Sequence, residues 1–294
     1  MLNLYANKRL ALLYLSPALL IMAVFVFYPI LLNFYYSMFE WSSFSINKVF
    51  VGLKYYREIF TDADFYTSIK NNVLYAVISL IFQVGGGLIL AAILEDKYMK
   101  KFQPFFRTVL FMPSILSLAV VGMLWQILYQ PDIGMVNGII RALSHSNFSF
   151  AWLSDERTAI YAVIAVSQWQ FTGYITMLLL VAMHKVPESL YEAAHLDGAS
   201  RIHTLFHITI PQIKEMLLVA VTITTVGAFK VFEEVYVMTT GGPGNSSDVL
   251  GTMLYRSGFR NDEMGYAATI ATIIFIITLG LSLLQIKASK TGRE

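Results

Sequence analysis

The sequence predicts an all-α polytopic membrane protein of six transmembrane helices, and three observations predict it. Hydrophobic residues make up 56% of the 294 and charged residues only 14%, a balance outside the usual soluble range. Six apolar runs recur along the chain, each near the roughly 20 residues that cross a hydrocarbon core as a helix. Lys and Arg are also shared unevenly between alternate connecting loops, as in polytopic membrane proteins.

The first run, Leu10 to Leu32, is longer than the roughly 7–15 apolar residues of a secretory signal, and no small-residue cleavage site follows it, so it reads as a retained helix. The others are Asn72 to Leu94, Val109 to Tyr129, Ala159 to Met183, Met216 to Met238 and Ala267 to Ile286. Pro17, Pro29 and Pro113 lie in or near these runs. Kinked helices are expected there, because neighbouring groups can satisfy the carbonyl that a proline frees. Gly85 to Gly87 reads as a site of close helix packing, and Gly241 to Gly244 as a tight outer loop. Seventeen tyrosines and four tryptophans fit a chain with two membrane interfaces to anchor.

The fifth run carries Lys230, Glu233 and Glu234 near its end. A charge at the bilayer centre costs about 2.5–3.5 kcal/mol, while each Leu, Ile, Phe or Val returns only about 0.3–0.6. Three central charges would cancel the span. These side chains are therefore expected near its outer end, paired with one another, or facing a wet cavity on the solute path.

Orientation follows from the basic residues. One side takes Lys8, Arg9, Lys97, Lys100, Lys101, Arg107, Lys185, Arg201, Lys214, Lys287, Lys290 and Arg293; the other takes Lys48, Lys54, Arg57, Lys70, Arg141, Arg157, Arg256 and Arg260 over longer loops. The positive-inside bias places the first side, with both termini, in the cytoplasm. An even number of spans and short tails leave no soluble catalytic domain in these residues.

The most informative loop, Lys185 to Gln212, reads KVPESLYEAAHLDGASRIHTLFHITIPQ. Ser189 followed by Glu192 is a capping box that predicts a helix through Tyr191, Ala193, Ala194 and Leu196. Asp197 and Gly198 can end that helix in a left-handed residue, and Ser200 can cap a second one running toward Ile210 before Pro211. The result is a slim cytoplasmic elbow, with Leu196, Ile202, Leu205 and Phe206 as apolar contacts and small residues at Ala193, Ala194, Gly198 and Ala199.

This loop resembles the EAA loop of ABC importer permeases. Glu192, Ala193, Ala194, Asp197, Gly198 and Ala199 match its first part, and Ile208, nine intervening residues after Gly198, and Pro211 match its end. The departure is Ile210, where the family usually has Leu. Further residues resemble the sugar-permease branch, which includes maltose, lactose, raffinose and glycerol-phosphate permeases. Leu15, Pro17, Phe25, Tyr28 and Pro29 come first, then Gly52, Leu53 and Tyr56, then Pro113, Trp125, Pro131, Gly134 and Asn137. Trp152, Leu153, Trp169, Gln170 and Gly173 continue the series, and Thr239, Gly241, Gly242, Pro243, Gly265, Tyr266 and Ala267 close it. The long periplasmic insertion and extra N-terminal spans of some maltose-type subunits have no counterpart.

The resemblance implies a type I ABC importer permease fold. Residues 1–70 would hold the N-terminal tail, the first helix (about 10–32) and an outer loop, 71–286 the permease core with the coupling loop at 185–212, and 287–294 a cytoplasmic tail. It implies a multi-pass subunit of a prokaryotic cell membrane that forms half of a pathway for a sugar or sugar derivative. Its partners would be membrane lipid, a second permease subunit in a heterodimer, two ATPase subunits and an extracytoplasmic solute-binding protein. Glu192, Ala193, Ala194, Asp197, Gly198, Ala199, Ile208 and Pro211 would couple to the ATPase, while Lys230, Glu233, Glu234, Trp169 and Gln170 are candidates for the solute path. An ABC permease for a non-sugar solute stays open, as does an ion-coupled secondary transporter, although the paired half-helices and midplane acids expected of the latter are not evident.

Other chemistries are not supported. A net charge of +2 without a basic face argues against nucleic acid, and the lack of cysteine removes disulfides, thiolate metal sites and thiol nucleophiles. No glycine run continues into Gly-Lys-Ser or Gly-Lys-Thr, so ATP is expected to be used by a partner, with no cofactor on this chain. His203 and His207 have a metal-compatible i, i+4 spacing, but with His184 and His195 they read as solvated helix faces. No enzyme site is expected.

Overall fold

The computed structural model describes residues 8–44, 47–96 and 98–291. Lys97 and Arg293, both in the charge count above, and the tail beyond 291 lie outside the described residues. In chain order the helices are α1 (8–36), α2 (Lys54–Ile59), α3 (Ala63–Glu95), α4 (Gln103–Ile115), α5 (Leu118–Leu128) and α6 (Met135–Ser144). They continue as α7 (Ala159–Met183), α8 (Glu188–Leu196), α9 (Arg201–Gln212), α10 (Lys214–Phe229), α11 (Glu233–Thr239), α12 (250–260) and α13 (Met264–Thr291). Among the described residues the only strands are β1 (Phe39–Glu40) and β2 (Val49–Phe50), an antiparallel ribbon pairing Phe39 with Phe50. The class is all-α.

Leu12–Tyr36 of α1, all of α3 and α7, and Met264–Lys287 of α13 are each long and apolar enough to cross a bilayer. Two broken pairs, α4 with α5 and α9 with α10, bring the number to six if each pair makes one crossing.

The chain divides into two compact units, Met1–Asp62 with Leu254–Phe275, and Ala63–Met253 with Ile276–Glu294. In the first, the end of α1 docks on the start of α13. The Asn33 amide donates to the Ala268 carbonyl (3.1 Å) and the Thr272 hydroxyl (3.0 Å), and Phe34 meets Phe275 edge to face. Gly265 allows the closest approach, because a Cβ there would overlap the Phe39 carbonyl. The Ser43 N–H donates to Asp262 at 2.7 Å and holds that carboxyl below the usual carboxylate range.

Pro29 produces no sharp kink. One π-turn, Ala23–Phe27, precedes it and closes through the Tyr28 N–H to the Ala23 carbonyl. Widening the helix by one residue accommodates the ring and the missing donor. The same device, Leu205–Thr209, precedes Pro211, with the Ile210 N–H bonded to the Leu205 carbonyl.

In the second unit α7 is the central post, with 15 of its 25 residues buried. Ile175, Leu179, Leu180 and Met183 of α7 meet Val84, Ala91 and Leu94 of α3 and Ala220 of α10. Of the three consecutive glycines in α3, only Gly87 serves close packing: its Cβ would stand 3.3 Å from Ile175 and Thr176, whereas Gly86 faces open space.

Two predicted spans are not continuous. The run Val109 to Tyr129 is broken between α4 and α5, whose axes differ by 97°. Pro113 opens a 3₁₀ turn over Met112–Ile115, and Leu116 and Ser117 are extended. The freed Leu116 carbonyl accepts from the Gln170 amide at 3.1 Å, which is how a break at membrane depth is tolerated. The run Met216 to Met238 stops at Phe229 and resumes as α11 after Lys230, Val231 and Phe232. Its backbone is held by α3, as described next.

Candidate functional site

Helix α3 carries a buried polar row: Ser68, Asn71, Asn72, Tyr75, Ser79 and Gln83. Much of it is spent on the second break. The Asn72 amide donates to the Ala228 carbonyl (2.7 Å) while its oxygen accepts from the Leu250 N–H (2.9 Å). Asn71 donates to the carbonyls of Ser246 and Asp248, both at 2.8 Å. The Tyr75 hydroxyl donates to the Glu234 carboxylate at 3.0 Å. On the other flank, Gln126 of α5 donates to the Val237 carbonyl of α11 at 2.7 Å.

The three charges of this region separate. Glu234 is buried at 7% exposure, whereas Lys230, at the C-cap of α10, and Glu233 face outward. No ion pair joins Lys230 to either glutamate among the described residues. Pairing with one another is thus not how the chain accommodates them. Glu234 is satisfied by Tyr75 from a distant helix, which local sequence could not indicate.

Trp169 and Gln170 point to different surroundings. Gln170 is 1% exposed and holds the α4–α5 break through Leu116. Trp169 stacks edge to face on Trp125 at 5.6 Å. It also lines a largely apolar cavity of about 590 Å³ with Phe82, Leu90, Pro113 and Thr172. Between α5 and α7, the Trp152 indole donates to the buried Asn137 amide oxygen at 2.8 Å, so two residues of the sugar-permease pattern brace one loop.

The elbow follows α7. Its first helix begins at Glu188 with Pro187 as N-cap, and no side chain caps it. The Ser189 capping box does not form, because the fixed φ of Pro187 starts the helix two residues earlier and puts Ser189 inside the first turn. The end is as expected: Gly198 adopts φ +74°, the Gly198 N–H bonds His195, and the Ala199 N–H bonds Ala194, the paired closure of a Schellman turn. The Ser200 hydroxyl accepts from the His203 N–H at 3.3 Å and caps α9. Helix α9 passes through Pro211 to Gln212 and bends 81° into α10.

Glu192, Ala193, Asp197, Gly198 and Pro211 are exposed, Ala199 and Ile208 half-buried, and Ala194 buried. Leu196, Ile202 and Phe206 are 87%, 71% and 60% exposed, an apolar crest on an otherwise polar elbow. His203 and His207 stack at 3.9 Å between ring centres. His184 is drawn instead to Glu95, with Nε2 2.7 Å from Oε2, an approach too poorly aligned to count as a hydrogen bond. The residues that sequence reasoning missed are Asn71, Asn72, Tyr75, Glu95 and Asp96. A polar residue every three or four positions inside an apolar run was the available signal for the first three.

Comparison with solved structures places the architecture. The chain matches a subunit in the crystal structure of a bacterial ABC transporter that imports the acidic polysaccharide alginate, with a TM-score of 0.82 at 23% identity over 97% of this chain and 96% of the other. The fold is that of an ABC importer permease. Residues 83–288 match the family described as the binding-protein-dependent transport system inner membrane component. The probable ABC transporter permease protein YurN of Bacillus subtilis is 54% identical over 98% of both chains. The arabinooligosaccharides transport system permease protein AraP of the same organism is 32% identical over 97% of this chain and 90% of its own. The chain therefore belongs to the binding-protein-dependent ABC permease family, a family of multi-pass membrane transport components.

Proposed function

We propose that this chain forms one half of the membrane pathway of an importer for a sugar or sugar derivative, and that its elbow docks into a cleft of a separate ATPase subunit. The observation that carries the docking is the crest Leu196, Ile202 and Phe206, exposed on a projection whose small residues leave room for a close partner. Burying one such side chain is worth about 1.5–3 kcal/mol, and three together offset much of the cost of association. The sugar class rests on the arabinooligosaccharide relative and on the residue pattern running from Pro17 to Ala267.

The assembly is a heterodimer with a second permease, driven by two ATPase subunits and supplied by an extracytoplasmic binding protein. Both termini are cytoplasmic in this reading, which the distribution of basic residues supports. ATP is bound and hydrolysed by the partner. Glu192, Ala193, Ala194, Asp197, Gly198, Ala199, Ile208 and Pro211 shape the docking surface, with Gly198 setting its bend. Lys230, Glu233 and Trp169 face the solute, whereas Glu234 and Gln170 hold the walls.

Two measurements test this reading. Leu196→Asp with Glu192→Lys should abolish copurification of the ATPase subunits from membranes while leaving the permease abundant; undiminished docking and uptake would defeat the coupling role. Lys230→Met should lower uptake severalfold at unchanged membrane abundance, since the ammonium is exposed and has no ion-pair partner among the described residues. Full uptake removes Lys230 from the path.

A further inference from the structure

The C-terminal end of α3 carries two consecutive carboxylates, Glu95 and Asp96. This is the wrong end of a helix for acids, because its unpaired carbonyls already concentrate negative charge there. Each is met by a basic side chain, and the two come from opposite arms of the elbow. His184, the C-cap of α7 where the elbow departs, faces Glu95 at 2.7 Å. Arg201, the first residue of α9 beyond the Gly198 turn, pairs with Asp96, Nη1 to Oδ2 at 2.7 Å, and its guanidinium lies 5.6 Å from the centre of the Tyr98 ring. Asp96 is fixed in turn, because its other oxygen accepts the Tyr98 N–H at 3.0 Å.

We propose that Glu95 and Asp96 are the receiving end of the elbow: positioning residues that make α3 travel with it when the ATPase partner moves it. This rests on the coupling role given to the elbow above. Chain continuity passes displacement only into α7 and α10. The clamp adds a third route, into a helix of 33 residues, about 50 Å long at 1.5 Å per residue. At its far half α3 grips the segment from Ala228 to Leu250 through Asn71, Asn72 and Tyr75. Motion at the elbow thereby reaches the break beside Lys230 from two sides, along α10 and through α3. The contact that differs between the two states is the one the ATPase partner makes with the elbow; the clamp passes that motion on because the elbow and α3 move as one body.

The chain has no cysteine, so a single engineered pair is unambiguous. In the whole reconstituted importer, Asp96→Cys with Arg201→Cys, bridged by a short bismaleimide, should retain uptake per ATP hydrolysed. Loss of transport on bridging, with the unbridged pair active, would overturn the proposal, because it would mean that the elbow swings against α3. In parallel, Asp96→Asn and Arg201→Gln should each lower solute moved per ATP by about threefold to fivefold, the size an ion pair with one exposed partner supports. ATPase subunits should still copurify, and the swap Asp96→Arg with Arg201→Asp should restore the ratio. Unchanged ratios in both single variants also overturn it. Failure of the ATPase subunits to copurify with the unaltered chain would instead sink the coupling role itself. If the charge variants fail to assemble, the bridged pair decides alone.

Discussion

Gly173→Ala is expected to remove most of the protein from the membrane. A methyl at this position would lie within the Leu110 carbonyl, and Phe111 is the next atom group in line. The obstruction is backbone on both sides, so no rotamer relieves it, and the cost reaches or exceeds the ~1–3 kcal/mol typical of overpacking. Two consequences should appear together. The purified variant should melt well below the parent in detergent, and the Gln170 amide, one turn earlier on α7, should lose its reach to Leu116, leaving a carbonyl unpaired at membrane depth. Fluorescence-detected thermal unfolding, read beside membrane abundance, checks this. Equal melting curves would mean that α4 does not contact α7 at Gly173.

Asn72→Leu carries the second large effect. Asn72 is fully buried and its single amide serves both ends of the Ala228–Leu250 segment, donating to one backbone group and accepting from the other. The leucine fits by volume but strands a carbonyl and an N–H, each at about 1–3 kcal/mol. The expected result is a melting point several degrees lower, with new protease cleavage between 230 and 250 in outward-accessible membranes. Asn71→Leu should be milder in its effect on the Ala228 end, because Asn71 reaches only Ser246 and Asp248. Indistinguishable proteolysis of the Asn72 and parent proteins would contradict the anchoring role.

Both predictions concern residues that look alike from the sequence to many others. A glycine in an apolar run reads as permissive packing in general, and Gly85, Gly86, Gly87 and Gly173 are equivalent by that standard. Of these four, only Gly173 and Gly87 meet another helix. Likewise Pro113 reads as a kink because the rule concerns the carbonyl it frees, not the group that accepts it. A kink became a 97° break because Gln170, more than fifty residues later, supplies the donor. The Ser189 capping box misled for a local reason: Pro187 competes for the same helix start and its ring has already fixed φ.

What local chemistry dictates was legible without coordinates: apolar length sets the spans, the need for a left-handed residue sets the Gly198 turn, and a hydroxyl ahead of free N–H groups sets the Ser200 cap. Tertiary structure alone decided where those spans break, which charge is buried, and what the elbow holds. Those outcomes depend on pairs such as Asn72 with Leu250, Tyr75 with Glu234 and Asp96 with Arg201. A hydrogen bond or ion pair joins residues by distance in space, and the periodicity of one helix carries no record of which side chain another helix brings against it.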